Sequence, residues 1–313
     1  MSLFAKLSRW FAAEAAAAFT EREVRCISPS GLHRMAYTEW GERDNPNVLV
    51  CVHGLTRNGR DFDDLARAMA ADYRVICPDV VGRGRSDWLR DPAGYGFPQY
   101  VADMMTLLAR LDVESVHWFG TSMGGLIGMF IASQEDAPVS RLVLNDVGPV
   151  ITAGSLKRIG EYVGRAPKFD TFDDAEKYIR LVAAPFGNLT DAQWRHLTEF
   201  SLRQAGNGQL EMRYDPGIGE PFRQALIFQD VNLWPIYDRI HCPTLVVRGA
   251  DSDLLAPETL QAMAARGPRP QTVEIANVGH APMFMDATQI AIVREFLLAG
   301  GPVAGSVDFA GRR

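Results

Sequence analysis

The chain has 313 residues, a net charge of −6 and an ordinary share of apolar residues at 47%. That length suffices for one large α/β domain with an insertion, or for two modest domains. No apolar run is long and unbroken enough to span a bilayer. Lys and Arg are scattered rather than gathered into a basic patch, which excludes an ordinary nucleic-acid protein.

The N-terminal stretch "MSLFAKLSRWFAAEAAAAFTERE" begins basic and then apolar, as a secretory leader does. Glu14 interrupts the apolar part, however, and no clear small-residue cleavage site comes after it. Residues 1–22 are therefore expected to form an Ala-rich helical extension. Two strand-like runs come next, "VRCISP" and "LHRMAYTEWG", separated by Ser-Gly and read as a hairpin. "NVLVCVHG" is a continuous apolar run ending in glycine, as in a strand buried on both faces. "RDFDDLARAMAA" then carries Phe62, Leu65, Ala66 and Met69 at helical spacing.

The alternation continues with the strand "YRVICPDVVG", the helix "PQYVADMMTLLARLD", the strand "SVHWFG", the helix "MGGLIGMFIASQ" and the strand "SRLVLNDVG". Late in the chain, "PTLVVRGA" and "QTVEIANVG" are strands and "ATQIAIVREFLLAG" is a helix. Repeated β-α-β units imply a mostly parallel sheet, here eight-stranded, with helices on both faces. The rhythm breaks once, between about Ile151 and Ile240, where the pattern reads as helix after helix, with Thr171 and Thr190 placed to cap two of them. The expected layout is a core of residues 23–150 and 241–300, a helical cap inserted at 151–240 and a flexible tail at 301–313.

The four cysteines, Cys26, Cys51, Cys77 and Cys242, are far apart and form no CxxC pair. Zinc ligands would be closer together. Free thiols in a reducing compartment are expected, taken as the cytoplasm, and no metal site.

Open parallel sheets bind ligands at the carboxyl ends of their strands. The residues just past each strand are therefore informative. In order these are His53-Gly54-Leu55, Asp79, Gly120-Thr121-Ser122-Met123-Gly124, Asp146, Asp251 with Asp253, and His280. Serine, then an aspartate, then histidine, each just past a strand, is a serine-hydrolase order. A serine hydroxyl is a weak nucleophile near neutral pH. It needs an imidazole to accept its proton and a carboxylate to hold that imidazole in the right tautomer. The glycines of "FGTSMGG" fit this: in a strained strand-to-helix elbow, side chains two residues either side of the serine collide, so positions 120 and 124 require glycine. The N–H of Met123 at the helix start is one expected oxyanion donor and the N–H of Leu55 the second. Asp146, Asp251 and Asp253 all remain open as the acid.

The segments "VHGLTRNGRDF", "DVVGRGRSD", "GTSMGGLIGM", "VRGADSDLLAP" and "NVGHAPMF" resemble those of the α/β-hydrolase superfamily, over roughly Val24 to Gly300. The resemblance implies that fold, with Ser122 as nucleophile, His280 as base and no metal or organic cofactor. "RGADSDLLAP" resembles family loops in which a Ser-Asp pair precedes an apolar turn, which favours Asp253 as the acid over Asp251 and Asp146. His53 and Gly54 would shape the oxyanion loop, and Asp79 with Ser86 would fix the "GRGRS" turn, which lacks the third glycine of a dinucleotide fingerprint. A serine in place of aspartate argues against the dehalogenase and epoxide-hydrolase branches.

The expected activity is hydrolysis of a small carboxylic ester or lactone through an acyl-enzyme. Cleavage of a carbon–carbon bond in a ring-fission product is the alternative within the same site, favoured if the inserted segment offers an arginine to a substrate carboxylate. Arg57 and Asn58 are weaker candidates for meeting such a group. A ligand receptor of the same fold with slow or no catalysis is the alternative of a different class. The expected partner is a small molecule, with neither nucleic acid nor a membrane span, and the sequence leaves the oligomeric state open.

Overall fold

A computed structural model describes residues 19–224 and 229–299. Phe19–Ser28 (β1) and Gly31–Trp40 (β2) form an antiparallel hairpin whose register runs from Ser28↔Gly31 out to Phe19↔Trp40. Residues Phe19 to Arg22, expected to be helical, are therefore strand, because β2 is long enough to pair with them. The rest of the expected helical extension, residues 1–18, lies outside the described residues, as does the tail from 300 onward.

Val48–Val52 (β3) leads through a 3₁₀ turn into Asp63–Met69 (α1). Arg74–Pro78 (β4) leads to Phe97–Arg110 (α2), and Val116–Thr121 (β5) to Met123–Ala132 (α3). Val139–Asn145 (β6) ends the first half of the core.

The stretch after β6 is not helix after helix. Val150–Ile151 (β7), Ala153–Tyr162 (α4), Lys168–Phe169 (β8), Phe172–Val182 (α5), Asp191–Ser201 (α6), Leu202–Gln204 (β9), Leu210–Met212 (β10), Glu220–Gln224 (α7), Val231–Asn232 (β11) and Trp234–Tyr237 (α8) succeed one another in order. Thr171 caps α5, and Thr190 caps α6 in a reciprocal capping box with Gln193. The expected helix over "TDAQWRHLTEFSLRQA" stops at Ser201. Leu202 turns extended, and β9 pairs with β10, which also pairs with β8, in a small antiparallel sheet. That pairing satisfies backbone groups that one more helical turn would have used, and propensity alone does not decide between the two. At the base of the excursion β7 and β11 pair, holding its entry and exit together.

Thr244–Gly249 (β12), Pro257–Ala265 (α9), Gln271–Ile275 (β13) and Ala287–Leu298 (α10) complete the core. The main sheet has the order β1-β2-β4-β3-β5-β6-β12-β13, parallel from β4 to β13 with the hairpin added antiparallel at one edge. The apolar strand runs have a physical cause. Leu49, Cys51, Phe119, Val143 and Val247 fill one face against α1 and α10, while Val50, Val52, Trp118, Leu142 and Val246 fill the other against α2 and α3. With helices on both faces every position of a central strand is buried, and each large apolar side chain contributes roughly 1.5–3 kcal/mol of transfer free energy.

A third apolar cluster joins Phe169, Ile179, Trp194, Leu197 and Leu202 of the post-β6 segment to Met283 and Met285, just beyond His280. Polar ties add to it: Arg57 Nη1 donates to Ser201 Oγ at 2.8 Å and Asn58 Nδ2 to the Phe200 carbonyl at 2.9 Å. The segment is thereby fastened to both the loop after β3 and the loop carrying His280.

Candidate active site

Ser122 stands between β5 and α3 with φ +52° and ψ −114°, a backbone conformation that non-glycine residues rarely adopt. The neighbouring glycines permit it by close approach. A Cβ at Gly120 would fall on the Gly124 backbone, and one at Gly124 would fall on the Val52 carbonyl of β3. The strained turn lifts the serine side chain out of the sheet end. Its backbone N–H is anchored on the Asn145 carbonyl at 3.0 Å.

Ser122 Oγ lies 3.0 Å from His280 Nε2, and His280 Nδ1 lies 2.7 Å from Asp146 Oδ2. Asp146 is fully buried at the end of β6. Its φ of +54° turns the side chain back across the sheet end, while its N–H is held by the Val247 carbonyl of β12. Asp146 Oδ1 accepts from Gly249 N at 2.8 Å, and Oδ2 also accepts from Ser252 Oγ at 2.6 Å. Ser252 Oγ itself accepts from the N–H groups of Leu254 and Leu255, both at 3.2 Å, so its only proton is directed at Asp146.

This corrects the expectation for the acid. Asp253 lies past the turn after β12, its side chain 56% exposed and paired with Arg158 of α4 rather than with His280. Asp251 is exposed on the same turn. Among the three aspartates only Asp146 is turned toward the imidazole. The Ser-Asp pair of that loop divides: Asp253 faces away, and Ser252 reaches the site, its hydroxyl donating to Asp146.

The loop after β3 runs directly beside the serine: a Cβ built on Gly54 would stand 3.8 Å from Ser122 Cβ. Leu55 is next in the chain, and Met123 is the first residue of α3, where an N–H has no partner within the helix. His53 is fully buried; Val80 N donates to its Nε2 at 2.9 Å, and its Nδ1 lies 2.7 Å from the Gly54 carbonyl. Burial pushes its pKa down to about 3. It therefore stays neutral, joined to Val80 and Gly54 on either side of the loop. Asp79 accepts from Gly59 N and Arg85 N, both at 2.8 Å, and burial raises its pKa. Ser86 Oγ donates to the Asp79 carbonyl at 2.5 Å, so the "GRGRS" turn is built as expected.

Arg57 is committed elsewhere. Its guanidinium forks onto Asp61 at 2.6 and 2.8 Å and reaches Ser201, so it braces the loop and is not held free for a substrate carboxylate. His196 Nε2 lies 3.0 Å from the Arg60 carbonyl, which docks α6 on the core. Asn145, passed over in the sequence, bridges two parts of the site: its Nδ2 donates to Thr121 Oγ1 at 3.0 Å and to the Pro282 carbonyl at 2.8 Å.

Away from this site, the hairpin register places Cys26 opposite His33. Together with Asp103 of α2 they bring three potential metal-ligand atoms within 4.8 Å of one another. Separation in sequence concealed this grouping. The Asp103 carboxylate accepts from Gln99 Nε2 at 2.7 Å and lies 2.9 Å from His33 Nε2, and burial pushes the Cys26 thiol up to about 12. The three residues thus tie the hairpin to α2 through hydrogen bonds. All four cysteines are free thiols. Among the described residues no helix is long and apolar enough to cross a membrane.

The arrangement can pass a proton from a serine hydroxyl to an imidazole braced by a buried carboxylate, beside a helix N-terminus. Comparison with known proteins agrees with the fold. A family model described as alpha/beta hydrolase fold matches residues 47–287. A 3-hydroxybutyrate-oligomer hydrolase of Cupriavidus necator is 53% identical over 280 residues, covering 87% of this chain and 96% of that protein. The crystal structure of an alpha/beta hydrolase from Novosphingobium aromaticivorans superposes with a TM-score of 0.78 at 36% identity, covering 89% of this chain and 98% of that one. An esterase of Mycobacterium tuberculosis shares the fold alone, at a TM-score of 0.64 and 22% identity over 95% of this chain and 98% of its own. Matched by the family model over most of its length and by a named hydrolase over nearly all of that protein, the chain belongs to the α/β-hydrolase family and is a hydrolase.

Proposed function

We propose that this enzyme is a serine hydrolase that cleaves ester bonds in short 3-hydroxybutyrate oligomers or closely similar hydroxyacid esters, through an acyl-enzyme on Ser122. The observation that carries the reading is the unbroken chain from Ser122 Oγ through His280 to the buried Asp146, at 3.0 and 2.7 Å. The choice of substrate is supported by the Cupriavidus necator relative, a 3-hydroxybutyrate-oligomer hydrolase at 53% identity.

In the first half-reaction Ser122 Oγ attacks the ester carbonyl while its proton passes to His280 Nε2. The carbonyl oxygen becomes an oxyanion facing the N–H groups of Leu55 and Met123. Collapse of this intermediate breaks the bond to the alkoxy oxygen, which leaves as the hydroxyl end of the next unit after taking the proton from His280. In the second half-reaction His280 takes a proton from water, the hydroxide attacks the acyl carbon, and the acid departs as Ser122 regains its proton. Asp146 orients the imidazole and stabilises its cation throughout. The post-β6 segment, packed against Met283 and Met285, acts in this reading as the cap that shapes the acyl site.

The experiment is a substrate panel run with purified enzyme: the 3-hydroxybutyrate dimer and trimer, butyrolactone, and a vinylogous ring-fission diketone, each followed by acid release. The reading expects the linear oligomers to be turned over with the highest kcat/KM and Ser122→Ala to abolish turnover. Turnover of the diketone but not of the oligomers would overturn it.

A further inference from the structure

We propose that Arg83 is a positioning residue for the oxyanion side of the site, clamping the two residues that carry the donors and setting an unneutralised positive charge behind them. The inference rests on the serine-hydrolase reading above and goes beyond it, since the "GRGRS" turn had only a loop-shaping part there.

Arg83 is fully buried. Its Nε donates to the Leu55 carbonyl at 2.8 Å, while Nη2 stands 3.7 Å from Met123 Sδ. One planar guanidinium therefore spans Leu55 and Met123, the two residues to which the reading above assigns the oxyanion donors. Nη1 is spent on the Val81 carbonyl at 2.7 Å and on Tyr100 Oη at 3.0 Å, and the group lies 4.9 Å from the centroid of the Tyr100 ring. These contacts hold it in one orientation.

What is unusual is the company. A buried guanidinium ordinarily meets a carboxylate, because an unpaired charge away from water is expensive. Among the described residues Arg83 forms no ion pair; its partners are carbonyls, a phenol, a thioether and aromatic faces. A leucine or methionine would fill the same volume without that cost. The charge is felt locally: after burial, Arg83 is among the causes that depress the neighbouring His53. Its sign is the one that favours an oxyanion, which exists only in the intermediate and its flanking transition states, so its effect should fall on kcat rather than on KM.

Full-length wild type, Arg83→Met and Arg83→Lys would be compared on p-nitrophenyl butyrate. Active sites are counted by exhaustive fluorophosphonate labelling, so that misfolded protein does not enter kcat. Misplacing the loop and losing the charge should lower kcat per labelled site by ~10–100-fold in Arg83→Met, with KM within about threefold. Arg83→Lys, which keeps the charge but cannot fork, should fall between the two. Affinity for a trifluoromethyl ketone, which forms a hemiketal oxyanion, should drop in parallel with kcat/KM. An unchanged kcat per labelled site in Arg83→Met, with only a lower melting temperature, would overturn the inference and leave Arg83 a packing residue. Should Arg83→Met fail to fold, wild-type kcat and wild-type ketone affinity in Arg83→Lys would overturn it equally. A wild type that hydrolyses no ester would sink the serine-hydrolase reading before any variant is compared.

Discussion

Replacing Asp146 by asparagine should disable the enzyme while leaving its shape intact, and the corresponding change at Asp253 should do almost nothing. The carboxylate of Asp146 is fully buried and lies 2.7 Å from His280 Nδ1. Once His280 has taken the serine proton, the two unit charges at that separation attract by about 6 kcal/mol at an effective dielectric of about 20. That is an upper bound, since asparagine retains part of the hydrogen bonding. At 1.36 kcal/mol per decade it corresponds to at most about 10⁴–10⁵ in kcat. An asparagine also presents a donor to Nδ1, which favours the wrong imidazole tautomer and in a serine protease costs ~10⁴. We expect Asp146→Asn to lower kcat by ~10³–10⁴ with an unchanged circular-dichroism spectrum. Asp253 is more than half exposed and engaged with Arg158, so Asp253→Asn should stay within about twofold of wild type. The assay is steady-state hydrolysis of p-nitrophenyl butyrate by both variants side by side. Activity of Asp146→Asn within tenfold of wild type, or a hundredfold loss in Asp253→Asn, would refute the assignment.

Removing the Ser252 hydroxyl takes one donor from Asp146 Oδ2, the oxygen His280 also uses, and so loosens the carboxylate beside the imidazole. Ser252→Ala should lower kcat by about 2–10-fold, the worth of one hydrogen bond, with threonine restoring it; an unchanged kcat would count against the coupling. His53 is held near a pKa of about 3 by burial and His117 near about 4, both below the ordinary 6.5. Above pH 6.5 these groups are neutral in folded and unfolded chains alike. Below it the unfolded chain binds protons the folded one refuses, so stability should fall from pH 6.5 toward pH 4. The fall should be shallower in His53→Gln, as read by melting temperature across that range; equal slopes would remove His53 from the cause. Gly124→Ala, whose methyl would meet the Val52 carbonyl, should cost at least about 2 kcal/mol in urea unfolding or prevent folding. A fully stable alanine variant would show that the elbow is looser than described.

How far the sequence carried these conclusions differed between elements. The parallel strands were legible because burial on both faces leaves unbroken apolar runs such as Val48–Val52, and the elbow because its backbone tolerates only glycine at 120 and 124. Ser122 and His280, which lie 3.0 Å apart, could be picked out as candidates because each lies just past a strand at the sheet's carboxyl end. The partner of His280 was not. Three aspartates lie beyond late strands, and what separates them is backbone direction: Asp146 turns inward at φ +54°, whereas Asp253 sits beyond a further turn and faces α4. A spacing in sequence carries no such direction. Arg83 and Asn145 were hidden for a related reason. Their partners, Leu55 and Met123 for one and Pro282 for the other, are distant in sequence and meet only when the strand ends are brought side by side. The small sheet β8-β10-β9 was missed because two- and three-residue strands leave no period to read.

The central claim, that Ser122 is an activated nucleophile, is tested most directly by intact mass after brief exposure to a fluorophosphonate at neutral pH. The predicted result is a single covalent adduct on the wild type and none on Ser122→Ala. An adduct persisting in the variant, or none on folded wild type, would contradict it.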